Sequence, residues 1–276
     1  MQPLLQIRDL SVGYQEKSRE PFAAVEDVSF DIASGETLGL MGESGCGKSS
    51  IALALMGLLP KQHARVAGSV IFRGCDLLAL SERELQKIRG AAISIVYQEP
   101  EIALSPVMRV GDQIAEVIRA HRQLPQKQCR ADACNMLARV GFAQIERIFH
   151  AYAHQLSGGQ RQRIVLAQAL ACEPALLIAD EPTAHLDVRS QSEFLTLLET
   201  LKRDCGISIL LISHTPEVQA RIADRVLLMR AGRIIEHGRF REIARSSHDP
   251  YTRAILGSAP LPPERADRIV EEVLAR

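Results

Sequence analysis

Apolar residues recur first in short strand-like runs, then at helical spacing, then in alternating strand-like and helix-like segments. Residues 4–7 and 24–32 read as strands, the second with Val25, Val28, Phe30 and Ile32 in imperfect alternation. Ala33-Ser34-Gly35-Glu36 predicts a turn into the apolar strand 37–41. A glycine-rich loop then opens a helix over 48–59, stopped by Pro60. Residues 69–72 form a further strand, Ser81 to Glu84 has the form of a capping box, and 92–97 reads as a buried strand. From Arg109 to about Phe149 the period becomes helical. Val110, Ile114, Val117 and Ile118 make one stripe; Met136, Leu137 and Val140 make another. Alternation then resumes as helix 160–172, strand 175–180, helix 188–203 and strand 207–213. A hairpin-like pair at 225–229 and 233–237 turns at Ala231-Gly232, and small helices finish the chain. The pattern predicts an α/β fold with a mostly parallel, helix-covered sheet, interrupted by an inserted helical subdomain.

Composition narrows the class. A chain of 276 residues fits one large α/β domain or two small ones, either able to bury a core. With 33 basic and 33 acidic residues there is no global field to favour nucleic acid or an anionic membrane. The six cysteines show no CxxC pair and no matched histidine spacing, which reads as reduced thiols rather than a disulfide or metal framework. The start MQPLLQIRDL lacks the basic-then-apolar form of a signal peptide, and the apolar runs at 51–59 and 207–212 are too short to span a bilayer. A membrane role would require docking onto a partner that spans it.

Two segments carry chemistry on their own residues. Gly42-Glu43-Ser44-Gly45-Cys46-Gly47-Lys48-Ser49 fits G-x-x-x-x-G-K-[ST] between an apolar strand and an apolar helix. Glycines let successive amides wrap a phosphate chain, and the following helix adds unpaired amides and a positive dipole end. Lys48 would supply a point charge to the β- and γ-phosphates, the Ser49 hydroxyl would ligate Mg²⁺, and Cys46 reads as a small filler. All eight residues, with Ser50 after them, are candidate nucleotide contacts. The second segment is the apolar strand 175–180, which ends in Asp180-Glu181. Acids at the carboxyl end of a buried strand stand where α/β sheets bind ligands. Asp180 is suited to hold Mg²⁺ and Glu181 to orient or deprotonate the attacking water.

Leu156-Ser157-Gly158-Gly159-Gln160 resembles the signature stretch of the ABC ATPase superfamily. The resemblance implies a P-loop nucleotidase cassette with a mainly parallel sheet core, an N-terminal antiparallel β subdomain and an inserted helical subdomain. It further implies ATP and Mg²⁺ as cofactors. In that family the signature is a second anion cradle: Ser157 and the Gly158 and Gly159 amides, with Gln160, face the nucleotide of a second subunit. Two ATPs are then buried between head-to-tail cassettes. By the same resemblance, Tyr14 stacks on adenine, and Gln98 senses Mg²⁺ and the lytic water. His214 contacts the γ-phosphate, and Asp187 contacts the partner. One position departs from the family pattern: His185 stands where a small residue is usual, two before Asp187.

The resemblance extends from Leu4 to about Pro260 and implies an ATPase domain over 4–256, with the helical insertion at about 99–158, and a C-terminal tail at 257–276. Tyr97-Gln98-Glu99-Pro100, Leu104-Ser105-Pro106-Val107, Ala223-Asp224-Arg225-Val226 and His248-Asp249-Pro250-Tyr251-Thr252-Arg253 are similar to the peptide and nickel importer branch. That implies a second, different ATPase subunit, two transmembrane permeases, and an extracytoplasmic solute-binding protein acting through them. It places the chain as a peripheral protein on the cytoplasmic face of the inner membrane, with no nucleic-acid partner. No cysteine follows Cys205, so no iron–sulfur cluster is expected. Peptides are the first reading for the solute and nickel or a metal chelate the second. The single cassette, without sustained heptads, argues against a soluble ABC ATPase acting on DNA or ribosomes.

Overall fold

The computed structural model describes residues 2–15 and 21–257; of the expected tail, 258–276 lie outside the described residues. In chain order the first elements are β1 (Leu5–Tyr14), β2 (Phe22–Ile32), β3 (Thr37–Met41), α1 (Lys48–Leu55), β4 (Ala64–Phe72), β5 (Cys75–Asp76) and α2 (Glu82–Ile88). There follow β6 (Ile93–Val96), α3 (Pro100–Ala103), α4 (Val110–His121), α5 (Gln126–Arg139), α6 (Ile145–Phe149) and α7 (Gly158–Leu170). The remainder is β7 (Leu176–Asp180), α8 (Val188–Cys205), β8 (Ser208–Ile212), α9 (Pro216–Ile222), β9 (Arg225–Arg230), β10 (Arg233–Gly238), α10 (Phe240–Ser246) and α11 (Pro250–Ile255). The chain forms two compact units, Met1–Leu85 with Ile209–Arg276, and Gln86–Ser208.

The first unit holds an antiparallel sheet in the order β2-β1-β4-β5, with Tyr14 opposite both Phe22 and Ala64. β1 and β4 run further than the sequence pattern predicts. Their registers shift around Arg8 to Ser11, where Asp9 takes a left-handed φ of 50°. Such a bulge puts two residues against one and breaks the period-2 pattern that marks a strand. The unit's other strands are β8, β3 and β9 in parallel, with β10 antiparallel to β9. Every residue of β3 and β8 is buried, which is why both read as continuous apolar runs. The start of β3 is tied from across the chain. Asp224 accepts from the Thr37 amide (2.7 Å), while Arg225 pairs with Glu36 (2.6 Å) and donates to the Asp31 carbonyl (2.9 Å). The hairpin turns on Ala231 (φ 45°) and Gly232 (φ 81°), the paired positive dihedrals of a type I′ turn.

Helix α1 ends at Leu55, not against Pro60. Gly57 takes a left-handed φ of 59°, so a glycine stop precedes the proline. At Ser81 the predicted box is present in its acidic half, since Glu84 accepts from the Ser81 amide (2.9 Å).

The second unit pairs β6 and β7 in parallel, Ile93 with Leu176 through Val96 with Ala179. Around them stand the predicted helices. α4 buries Val110, Ile114 and Ile118, and Gly111 lies directly under the Phe149 ring of α6. Asp187 caps α8, which closes on Gly206 in the left-handed region. All six cysteines are free. No helix among the described residues is long and apolar enough to cross a membrane.

Candidate functional site

The phosphate loop leaves β3 and enters α1. Its glycines are required by geometry, each for its own reason. A Cβ on Gly47 (φ 108°) would stand 2.2 Å from the Ala24 carbonyl oxygen, and one on Gly42 would stand 2.3 Å from that of Met229. Gly45 (φ 81°) faces open space, where the strain is conformational rather than steric. Gly47 caps α1 without a side-chain acceptor, so the first helix amides are left for another anion. Lys48 is buried, and its Nζ donates to the carbonyls of Gly42 (2.7 Å) and Glu43 (2.8 Å). The ammonium is thereby held within the ring of loop residues. Cys46 is also buried; burial pushes its thiol up, partly offset by the Lys48 charge.

Other candidates of the first unit gather at the same strand ends. Leu40 of β3 pairs with Ile212 of β8, so the phosphate loop and His214 leave neighbouring parallel strands at their carboxyl ends. Tyr14 closes β1 with its hydroxyl 3.1 Å from the Ser50 hydroxyl, which places this aromatic beside the first turn of α1. Three further positions there hold the backbone of these segments, a role no motif assigns to them. Gln219, wholly buried in α9, donates to the carbonyls of Leu211 (3.2 Å) and Ser213 (3.3 Å), holding the backbone before His214. Gly232 donates to the Cys46 carbonyl (3.1 Å). Tyr251 contacts the loop through its hydroxyl. A lone amide in an otherwise apolar helix stripe was the signal for Gln219.

In the second unit, Val96 pairs with Ala179, so Gln98 and Asp180-Glu181 also emerge together from carboxyl ends. Glu181 sits at φ 47°, a conformation that costs a non-glycine residue energy and recurs where function fixes the backbone. His185 Nδ1 lies 3.3 Å from the Gln98 carbonyl, so the departure from the family pattern links the segment after β7 to that after β6. A cavity of about 290 Å³ is lined by Gln98, Glu99, Gly158, Arg161, Gln162 and His185, which brings Gln98 and the signature glycine to one space.

Ser157 is the N-cap of α7. Its hydroxyl accepts from the Gln160 amide (3.3 Å) and Gln160 Oε1 accepts from the Ser157 amide (3.0 Å), a reciprocal capping box. This arrangement leaves the Gly158 and Gly159 amides, the first two of the helix, without an intrahelical acceptor. A Cβ on Gly158 would meet nothing within 4 Å. The chain's own packing therefore does not demand glycine there, and the space beside it is open. Asp187 spends its carboxylate on Ser190, accepting from the amide (2.9 Å) and the hydroxyl (2.7 Å), and these bonds hold it below the usual carboxylate range.

Mg²⁺ takes few protein ligands and completes its octahedron with water and phosphate oxygens. The Ser49 hydroxyl of the first unit and the Asp180 carboxylate of the second are each a hard-oxygen donor of the kind it accepts.

Residues 25–184 match the family model described as ABC transporter, a span containing the phosphate loop, Gln98, the signature and Asp180-Glu181. The chain is 43% identical over 261 residues to the dipeptide transport ATP-binding protein of Bacillus subtilis, covering 94% of this chain and 78% of that one. It is 46% identical over 260 residues to a probable peptide ABC transporter ATP-binding protein of Sinorhizobium fredii, covering 93% and 77%. Among solved structures, the dimeric post-hydrolysis state of an ATP-binding cassette bound to ADP and Pi superposes with a TM-score of 0.76 at 25% identity, covering 86% of this chain and 98% of that one.

Proposed function

The chain belongs to the ABC transporter family, and from that premise we propose that it is the ATP-hydrolysing subunit of a membrane importer of di- or oligopeptides. The observation that carries the solute class is the likeness, over more than nine-tenths of the chain, to ATP-binding proteins named for peptide transport. Those names favour peptides over nickel or a metal chelate.

In this reading the loop at 42–49 holds the ATP phosphates, with Lys48 on the β- and γ-oxygens and Tyr14 against the adenine. Ser49 and Asp180 would hold Mg²⁺, with Gln98 beside them, and the bound ion would supply charge neutralisation at the transferred group. Glu181 orients and deprotonates the attacking water, and His214 donates to the γ-phosphate as charge develops there. Ser157, Gly158, Gly159 and Gln160 complete the site of a second cassette rather than their own. The open approach at Gly158 and the uncommitted helix amides support that assignment. The remaining assembly is a second ATPase subunit, two transmembrane permeases that both ATPase subunits dock onto at the cytoplasmic face, and an external solute-binding protein.

Uptake of a labelled dipeptide by cells lacking the gene tests the proposal. Wild-type chain should restore it and Lys48→Ala should not. Restoration of nickel uptake with no effect on any peptide would overturn the solute assignment.

A further inference from the structure

Tyr251 lies in the first turn of α11, far in sequence from the phosphate loop and outside the span matched by the family model. Its hydroxyl donates to the Met229 carbonyl (3.0 Å) and accepts from the Glu43 amide (3.1 Å). Only 9% of the residue is exposed, and the Arg230 guanidinium covers its ring at 5.0 Å. Burial pushes the phenol up, so it stays protonated and keeps the proton it donates.

The helix that carries it is anchored on its other sides. Asp249 caps it by accepting from the Thr252 amide (2.9 Å), and Glu236 of β10 accepts from the hydroxyls of Thr252 and Ser247 (2.7 Å each). Leu256 enters a buried cluster with Met41, Leu228, Phe240 and Ile243. The phenol therefore projects from a fixed base, and a fixed hydroxyl can impose a position on what it binds.

The residue it binds also holds the loop's cation, together with Gly42. Glu43 presents its amide to Tyr251 and its carbonyl to Lys48 Nζ at 2.8 Å. Met229, the hydroxyl's other partner, forms the floor of the loop: its carbonyl limits Gly42 and its methyl carbon limits Gly47. A phenol is the one side chain of this length that donates and accepts at a single rigid point. Phenylalanine would fill the same volume and leave the part-buried Glu43 N–H and the buried Met229 C=O without that partner.

We propose that Tyr251 is a positioning residue for the phosphate loop, fixing Glu43 and through it Lys48, so that nucleotide affinity depends on α11. The inference rests on the reading of residues 42–49 as the ATP site. A loop already held in its binding conformation loses less freedom when the phosphates arrive, so the hydroxyl acts on affinity more than on the chemical step.

Binding of a fluorescent ATP analogue and steady-state turnover of the full chain test this. Tyr251→Phe should weaken ATP binding and raise KM about 10-fold, equivalent to about 1.4 kcal/mol, with kcat at saturating ATP within about 2-fold of wild type. Leu198→Ala, a truncation of a buried side chain in α8 that touches neither the loop nor α11, should lower thermal stability and leave KM unchanged. Wild-type affinity in Tyr251→Phe, or an equal loss in Leu198→Ala, would overturn the proposal. Amide exchange at Glu43 reads the same bond in the wild-type chain whatever the variant does. Protection supports the proposal and free exchange overturns it. A wild-type chain that binds no ATP would overturn the nucleotide site itself, and this inference with it.

Discussion

Replacing Ser157 by Asp keeps one of its interactions and reverses another. The hydroxyl accepts from the Gln160 amide at 3.3 Å as the N-cap of α7, and the same exposed oxygen stands where a partner's γ-phosphate is proposed to arrive. As a cap, Ser to Ala costs about 1 kcal/mol, which at about 2–4 °C per kcal/mol for a domain of this size lowers Tm by about 3 °C. Asp ranks with Ser at the N-cap, and its charge at the helix start adds about 0.3–1 kcal/mol, so Ser157→Asp should melt at or slightly above the wild-type temperature. Facing a phosphate the sign changes. One added negative charge about 4 Å from another, at an effective dielectric near 20, is repelled by about 4 kcal/mol, or on the order of a thousandfold in the ATP-bound dimer. Stability should therefore run Asp at or above Ser, and both above Ala, while ATP turnover runs Ser above Ala above Asp. Calorimetric melting and phosphate release on the same preparations give the two orders. Wild-type turnover in Ser157→Asp would refute the second cradle, and an unchanged melt in Ser157→Ala would refute the cap.

Three further outcomes follow from the geometry. Gly47→Ala should abolish nucleotide binding in a fluorescent-analogue titration, because its Cβ would stand 2.2 Å from the Ala24 oxygen at a φ of 108°. Gly111→Ala should destabilise by about 3 kcal/mol or more in chemical denaturation, since the new methyl would stand 2.2 Å from a Phe149 ring pinned under Arg130, and Phe149→Leu should recover part of the loss. Asp187 is held below the usual carboxylate range by Ser190, so its contribution to the start of α8 is present above about pH 4 and is lost as pH falls through the lowered value. Wild-type Tm should accordingly fall more steeply on acidification than that of Asp187→Asn.

What could be read from the sequence depended on whether the physical demand was local. The loop at 42–49 and the acids after β7 are legible because phosphate wrapping and metal binding need particular side chains at adjacent positions. The capping box at Ser157 was equally local, an S-x-x-Q ahead of an apolar run, yet its second meaning was masked by the first. Tyr251 was not legible as a loop support. Its partners are backbone atoms of residues 22 and 208 positions away, and backbone atoms leave no mark on composition. The tie between Asp224 and Thr37 spans 187 positions for the same reason. β1 and β4 were read short because Asp9, at a bulge, breaks the alternation that signals a strand, and α1 was read long because Pro60 outweighed Gly57 as a stop.

The central claim is that this chain binds ATP in the loop at 42–49 and hydrolyses it with Glu181 as the group that activates water. ATP retention and ATP turnover measured together on Glu181→Gln, at saturating ATP and Mg²⁺, test it most directly. The variant should bind ATP with wild-type affinity, accumulate as an ATP-dependent dimer, and turn over at least about 100-fold more slowly. Turnover at the wild-type rate would contradict the account.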